Sequence, residues 1–284
     1  MSNDARRIAC MEVWGGHEGF EGSVSVPGHD VFVGCAPHTG DSHGGDIYYV
    51  SSCAAGAIAR FVLADVAGHG HVVAEQAATL RNLMRRYINT ADQSKFARAL
   101  NRKFAGEGGR FATAILLTYF APTDQIVLCN AGHPRPLFRS RERGRWEFLD
   151  ASTERRVGRA AAGKLGANNL PLGIVNGTPY EQFCVQLQQG DLIAVYSDAF
   201  LEAPGADGKP WGEAGLLSVL NAIDTTDPSM IRSHVVREIA NRTGRPILDD
   251  DATMIVLHHN ASDPPRLKVS DRLRIIAKVM GVGA

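Results

Sequence analysis

Residues 58–70 read IARFVLADVAGHG, an apolar run that ends on Asp65 and passes into a glycine-rich segment. Residues 44–50 read GGDIYYV, so Asp46 follows two glycines and opens a second run of this kind. Short runs of β-branched and aromatic residues bounded by glycine are typical of β-strands. Each of these two aspartates is therefore predicted at the edge of a strand.

Runs of the same character dominate the chain. The predicted strands cover residues 31–35, 47–52, 58–66, 111–120, 126–130, 180–187, 191–197 and 253–258. Apolar residues at helical spacing predict helices at 72–88, 94–104, 213–222 and 229–242. Strands followed by a helix pair, then strands and a second helix pair, indicate an α+β fold with helices on the outside of packed sheets.

The composition is that of a globular chain without an overall charge bias. Its 284 residues are 44% hydrophobic and 21% charged, and thirty basic residues balance thirty acidic ones. A net charge of zero argues against a dedicated nucleic-acid-binding protein, whose footprint is normally basic. The balance conceals two basic segments, with a net charge of +5 over residues 135–164 and +4 over residues 266–278.

The five cysteines indicate a reducing compartment. They are odd in number and form no CxxC pair, so neither a disulfide framework nor a thiolate zinc site is indicated. The N-terminus lacks the apolar run of a signal peptide, and the longest apolar stretch, 111–121, is too short to span a bilayer. The sequence therefore predicts a soluble, cytoplasmic protein with no transmembrane segment.

The predicted domain organisation is simple. No internal repeat or linker divides the chain, so a single domain is expected over residues 1–260, with an N-terminal strand at 8–14. An arginine-rich insertion at about 139–168 is predicted as a hairpin followed by a mobile segment. Residues 261–284 form a basic tail in which apolar residues could share one face of an amphipathic helix.

Acidic residues recur at the ends of other predicted strands. Asp198 ends the apolar run LIAVYSD, and Asp249, Asp250 and Asp251 open the run that follows them. Such carboxylates repel one another and are partly desolvated unless a cation compensates them. Oxygen ligands suit Mg²⁺ or Mn²⁺, whereas the lack of a His or Cys pair at ligand spacing disfavours Zn²⁺. Singly, each aspartate is better explained as a turn or cap residue, but together they favour a metal site.

The order of these segments resembles the PPM-type, protein phosphatase 2C-like serine/threonine phosphatases, in the bacterial SpoIIE and RsbU branch. The matching segments are GGD at 44–46, DVAGHG at 65–70, FATA at 111–114, NAGHP at 130–134, LPLG at 170–173, GD at 190–191, SD at 197–198, EA at 202–203 and DDAT at 250–253. The fold of that family is an α-β-β-α sandwich, in which two antiparallel sheets are flanked by helix pairs. This agrees with the predicted elements.

The resemblance implies a centre of two Mn²⁺ or Mg²⁺ ions, with a third ion as a further possibility. The ligands it implies are Asp65 as the carboxylate that bridges two ions, the backbone carbonyl of Val66, Asp46 at one ion, Asp198 and Asp250 at the other, and Asp251 at the third. Three consecutive aspartates leave the register of the last two open by one position. Two such ions activate a water molecule and clamp the phosphoryl oxygens during in-line attack.

Two histidines in the matching segments, and one alanine directly after the SD segment, affect this interpretation. His69 is a candidate general acid for the leaving oxygen, with a metal-bound water as the alternative donor. His133, in the NAGHP segment, is predicted to be structural. The family usually has glycine where this chain has Ala199. If that position requires a positive φ, alanine would cost about 1 kcal/mol and activity would be weak or dependent on a partner.

The predicted function is therefore metal-dependent hydrolysis of phosphoserine or phosphothreonine on a regulatory protein, such as an antagonist of an anti-sigma factor. The first alternative is a pseudophosphatase of the same fold that binds a phosphoprotein without turnover. The second is that the basic insertion and tail bind nucleic acid or an anionic membrane. The preferred reading of these basic segments is that they guide a phosphorylated protein partner, with no specific nucleic acid involved.

Overall fold

The structure is a computed structural model that describes residues 6–8, 12–37, 43–54, 56–68, 71–88, 90, 92–105, 111–150, 152–153, 155–157, 168–204, 208–243 and 250–262. Its strands are β1 Arg6–Arg7, β2 Val13–Glu18, β3 Phe20–Val26, β4 His29–Ala36, β5 His43–Cys53, β6 Ile58–Val66, β7 Ala112–Phe120, β8 Gln125–Ala131, β9 Leu137–Arg139, β10 Trp146–Phe148, β11 Arg156–Val157, β12 Gln182–Gln186, β13 Leu192–Tyr196 and β14 Ala252–His259. Its helices are α1 His71–Tyr87, α2 Gln93–Phe104, α3 Ala199–Glu202, α4 Gly212–Ala222 and α5 Pro228–Thr243.

The strands form two sheets of seven strands each. The first sheet has the order β1-β3-β4-β14-β13-β9-β10, and the second has the order β11-β12-β8-β7-β6-β5-β2. Every neighbouring pair is antiparallel except β1 and β3, which are parallel. The predicted sandwich of two antiparallel sheets is therefore confirmed.

Alternation along the strands separates three apolar layers. One core lies between the sheets and takes Leu63 and Ile115 from the second sheet and Ile255 from the first. A second core packs helices α1 and α2 on the outer face of the second sheet, and a third packs α3, α4 and α5 on the outer face of the first. The fold class is α+β, with the layers in the order helices, sheet, sheet, helices.

The sequence patterns predicted the long central elements well and the N-terminal strands poorly. The predicted strand 58–66 coincides with β6, and the four predicted helices match α1, α2, α4 and α5 to within about two residues. Of the strand predicted at 8–14, Ile8 follows β1 outside any strand, residues 9–11 lie outside the described residues, and β2 begins at Val13. The pairing of β2 with β5 begins at Val13.

The arginine-rich insertion begins as predicted with a hairpin, formed by β9 and β10. Residues 158–167 and the tail from 263 lie outside the described residues. In the part of the chain that the structure covers, no helix combines the length and the apolar character needed to cross a membrane.

Candidate metal centre

The two aspartates of the opening segments stand side by side. Asp46 of β5 and Asp65 of β6 are direct partners in the antiparallel ladder, and Asp65 is also the partner of Thr113 on β7. All three positions continue the alternation of residues that fill the core between the sheets, such as Tyr48 and Leu63. The carboxylates therefore lie at the end of the inner face, where the apolar core stops.

The first sheet brings its acidic residues to the same end. In β14, Ile255 faces the core between the sheets, and the alternation carries this inner face to Thr253 and then to Asp251. Asp198 follows β13 and occupies the N-cap position of α3, although its side chain makes no capping hydrogen bond there. Because β13 and β14 are antiparallel neighbours, the end of one strand and the beginning of the other meet.

The pairing between the edge strand β2 and its neighbour β5 is irregular next to Asp46, so this part of β5 is not paired with β2. Between the pairs Gly16–Tyr48 and Glu18–His43, a single residue of β2 faces four residues of β5. A bulge of this kind bends a strand and redirects its side chains, and bulges are common next to functional sites. Asp46 is paired with Asp65 of β6 but has no partner on β2.

Gly44 and Gly45 let the backbone come close to the acidic cluster. The Gly45 N–H donates a hydrogen bond to Asp251 Oδ2 at 2.5 Å. A Cβ atom on Gly44 would lie 2.5 Å from Asp251 Oδ1, and one on Gly45 would lie 2.8 Å from the carbonyl oxygen of Val66. Any larger residue at either position would displace atoms that the family resemblance assigns to the centre.

The carboxylates raise one another's pKa values. Burial, followed by the negative charges of Asp198, Asp250, Asp251 and Glu202, raises the pKa of Asp65 to about 7. The pKa of Asp198 is also raised, first by burial and then by Glu202 and Asp250. These carboxylates are close enough to repel one another, and a cation between them would relieve that repulsion.

Asp46 is the member of the cluster whose charge is most in need of a partner. It is fully buried, and neither carboxylate oxygen makes a hydrogen bond. Burial, followed by the charge of Asp65, holds the pKa of Asp46 well above the ordinary value. The nearby hydroxyls of Thr253 and Ser197 lower this pKa, although neither makes a hydrogen bond of ordinary geometry to the carboxylate. A buried carboxylate without partners is costly, and binding a hard cation would satisfy both oxygens.

The donor set therefore fits divalent cations that prefer oxygen. Asp46, Asp65, Asp198, Asp250, Asp251 and the carbonyl of Val66 would hold such ions. Among the described residues, no three His, Cys, Asp or Glu side chains stand close enough together to enclose an ion as they are. These carboxylates still affect one another's pKa values, because charge repulsion acts over several ångströms, further than the distance from a ligand atom to an ion.

The two last aspartates of the DDD segment face different parts of the cluster. Asp251 is nearly buried, bonds to Gly45 and raises the pKa of Asp46. Asp250 is exposed, accepts a hydrogen bond from the Asp251 N–H and contributes to the raised pKa values of Asp65 and Asp198. Both sit at the cluster, while His69 and Asp249 lie outside the described residues.

Ala199 does not carry the strain that the sequence comparison suggested. It is the first residue of α3, is buried in the outer core of the first sheet and is not among the residues with positive φ. The expected cost of about 1 kcal/mol for a left-handed alanine therefore does not apply. The predicted weakness of activity lacks its physical basis.

The sequence patterns assign no role to four further residues of the site: Glu202, Thr113, Ser197 and Thr253. Glu202 stands four residues after Asp198, one turn along α3, and its charge raises the pKa of Asp198. An acidic residue at this helical spacing was the available signal. The three hydroxyl residues could be assigned only after strand register had placed them beside the aspartates.

His133 supports the site from the neighbouring turn, as a buried structural residue. Its Nδ1 lies 2.8 Å from the hydroxyl of Thr113, the partner of Asp65. The Asn130 side chain accepts from the His133 N–H and donates to the His133 carbonyl, both at 2.8 Å. Complete burial lowers the pKa of His133 to about 3.

We expect this histidine to make the protein sensitive to acid. An unfolded histidine with a pKa of about 6.5 takes up a proton as the pH falls, whereas folded His133 stays neutral until about pH 3, so stability is lost as the pH drops through this interval. The loss between pH 7 and pH 5 should be about 2 kcal/mol. Urea unfolding at several pH values measures it.

A His133→Gln variant should show a flatter dependence of unfolding free energy on pH. His234→Gln, on the partly exposed surface of α5, is the matched control and should keep the slope of the parent protein. Equal slopes for the parent protein and His133→Gln would contradict the assignment of His133 as a buried neutral group.

Comparison with known proteins identifies the class. The family model described as Stage II sporulation protein E (SpoIIE) matches residues 56–260, so the chain belongs to the SpoIIE family. The resemblance to the PPM-type phosphatases of the SpoIIE and RsbU branch is confirmed.

One relative and two solved structures illustrate the similarity. The chain is 31% identical over 104 residues to stage II sporulation protein E of Bacillus subtilis, which is 36% of this chain and 12% of that protein. The PP2C phosphatase domain of SpoIIE from B. subtilis, solved with a fragment of its regulatory domain, superimposes with a TM-score of 0.64 at 17% identity, covering 87% of this chain and 70% of the other. RsbX in complex with magnesium gives a TM-score of 0.58 at 16% identity, covering 84% and 99%.

Proposed function

We propose that the protein is a Mn²⁺- or Mg²⁺-dependent phosphatase that removes phosphate from phosphoserine or phosphothreonine on a regulatory protein. The observation that carries the proposal is the pair Asp46 and Asp65. These are adjacent carboxylates from two strands; Asp65 is partly buried, and Asp46 is fully buried with both oxygens unpaired. Membership of the SpoIIE family and the phosphatase fold of its relatives support the same reading.

The residues of the cluster have different roles in the proposed reaction. Asp46 and Asp65 hold cations on the rigid sheet, and Asp198 and Asp250 supply negative charge from the facing sheet. The bound ions would supply an activated water and neutralise the phosphoryl oxygens. Thr113 and His133 fix the strand beside Asp65, and we keep His69 as a candidate proton donor to the leaving oxygen.

The test is a metal-dependent assay. With p-nitrophenyl phosphate and a phosphoserine peptide, we expect Mn²⁺ to stimulate hydrolysis at least about tenfold over the chelated protein, because water is a poor nucleophile at neutral pH without a metal ion. Mn²⁺ should also raise the unfolding temperature, since a ligand that binds the folded state stabilises it. An Asp46→Asn variant should lose both effects.

The outcomes separate the proposal from its alternative. Stabilisation by Mn²⁺ without any hydrolysis, even at high protein concentration, would favour the pseudophosphatase that binds a phosphoprotein without turnover. If Mn²⁺ produces neither stabilisation nor hydrolysis, that result would contradict the metal site itself. Phosphoproteomics of cells that carry the parent protein or the Asp65→Asn variant would then identify the substrate, which we expect to be a phosphorylated regulatory protein.

A further inference from the structure

A second polar cluster lies in the fold, on the other face of the sheet that carries Asp65. Arg60 of β6 is only 3% exposed, and its neighbours in register are Ser51 on β5 and Thr118 on β7. Directly opposed residues on adjacent strands have Cβ atoms about 4.5–5.5 Å apart, so the three side chains form one row across the sheet. Tyr49 adds a fourth polar group, two residues from Ser51 on the same face.

The donors in this row lack partners. Arg60 Nε and the hydroxyls of Ser51, Thr118 and Tyr49 are all buried without a hydrogen bond in the described structure. The Arg60 guanidinium makes one hydrogen bond, from Nη1 to the sulfur of Cys53 at 3.0 Å, and forms no ion pair with a described carboxylate. A thiol is a weak acceptor and does not balance the positive charge.

This arrangement is costly as it stands. A buried guanidinium without a counter-ion loses several kcal/mol of hydration that a weak acceptor does not restore. Three unsatisfied hydroxyls in a row beside the unsatisfied Nε of a positive guanidinium match an anion, since an anion accepts hydrogen bonds from every one of them. One elementary charge is balanced by a monovalent anion, and hydroxyl donors impose no fixed geometry on it.

The cluster is independent of the metal centre. Arg60 precedes Asp65 by five residues in the same strand, about 17 Å at 3.4 Å per residue, and an odd separation places their side chains on opposite faces. The Arg60 face is covered by α1 and α2, which pack on Tyr49 and Val62. We propose that Arg60, Ser51, Thr118 and Tyr49 form a buried structural site for a monovalent anion such as chloride.

Thermal unfolding in sodium chloride and in sodium gluconate at equal ionic strength tests the site. We expect a saturable rise of a few degrees in the unfolding temperature of the parent protein in chloride and none from gluconate, which is too large to enter. Arg60→Met should abolish the chloride response and should unfold no earlier than the parent protein in gluconate, because it removes an uncompensated charge. Thr118→Val should weaken the response while keeping the shape of the side chain.

Arg232→Met is the matched control. Arg232 is another largely buried arginine, but it is paired with Glu21, so this variant should keep the chloride response whatever its own stability. Crystals grown with bromide should show an anomalous peak within hydrogen-bonding distance of Arg60 Nε. Equal unfolding temperatures of the parent protein in both salts, or water alone beside Arg60 in the bromide crystals, would overturn the proposal.

Discussion

Replacing Asp65 by Asn should abolish the proposed phosphatase activity without unfolding the protein. Asp65 lies at the centre of the acidic cluster, with Asp46 beside it in the ladder and the charges of Asp198, Asp250 and Asp251 raising its pKa. Removing its charge should cost about 3 kcal/mol or more of transition-state stabilisation, which is about a hundredfold or more in rate. Mn²⁺-dependent hydrolysis of p-nitrophenyl phosphate measures the loss.

The same variant should be as stable as the parent protein in a chelator, or more so. Burial and repulsion oppose the charge of Asp65 when no cation is bound, and Asn removes that opposition while keeping the shape. The gain in unfolding temperature on adding Mn²⁺ should shrink with the activity. Asp224→Asn, at an exposed position, is the control and should change neither property. Asp65→Asn with more than about a tenth of the parent activity would contradict the assigned role.

Replacing Gly132 by Ala should cause a large loss of stability. Gly132 has a φ of +70°, and a Cβ atom there would lie 2.5 Å from Cγ and 2.8 Å from the backbone N of Pro171. The left-handed conformation costs about 1 kcal/mol for alanine, and the forced displacement adds about 1–3 kcal/mol. Urea unfolding should therefore show a loss of about 2–4 kcal/mol.

Gly177 separates the two contributions. It also has a positive φ, of +85°, but a Cβ atom there would meet nothing within 4 Å. Gly177→Ala should thus cost only the conformational part, about 1 kcal/mol. If the two variants lose equal unfolding free energy, the contact with Pro171 contributes nothing to the loss, which would contradict the prediction for Gly132→Ala. Because Gly132 precedes His133, Gly132→Ala should also weaken binding of Mn²⁺, whereas Gly177→Ala should not.

Local patterns predicted the elements that are defined by their own side chains. The strand 58–66 is apolar except for Arg60 and Asp65 and lies between Gly56 and Gly68, so its limits were visible in the sequence. By contrast, β3 reads FEGSVSV, in which small and polar residues weaken the alternation, and it forms because it pairs with β4 along its whole length. Tertiary pairing of this kind overrides weak β-propensity.

The sequence indicates which residues form the candidate site but not how they are arranged relative to one another. Strand ends marked Asp46, Asp65 and Asp198, yet nothing local indicated that the first two are direct partners, because register depends on a hairpin and on the facing strands. The different surroundings of Asp250 and Asp251 were equally hidden, because they arise from the approach of Gly45, more than two hundred residues away in the chain.

The pairing of Asp46 with Asp65 makes the hairpin between β5 and β6 sensitive to its length. The two strands are only four residues apart in the chain and stay in register from Cys53–Ile58 to Asp46–Asp65. Adding or deleting one residue within either strand would rotate every side chain beyond that point to the opposite face of the sheet. One carboxylate would then point at helix α1 while the other stayed in place. Among homologues, the number of residues that separate these two aspartates should therefore vary only through the turn.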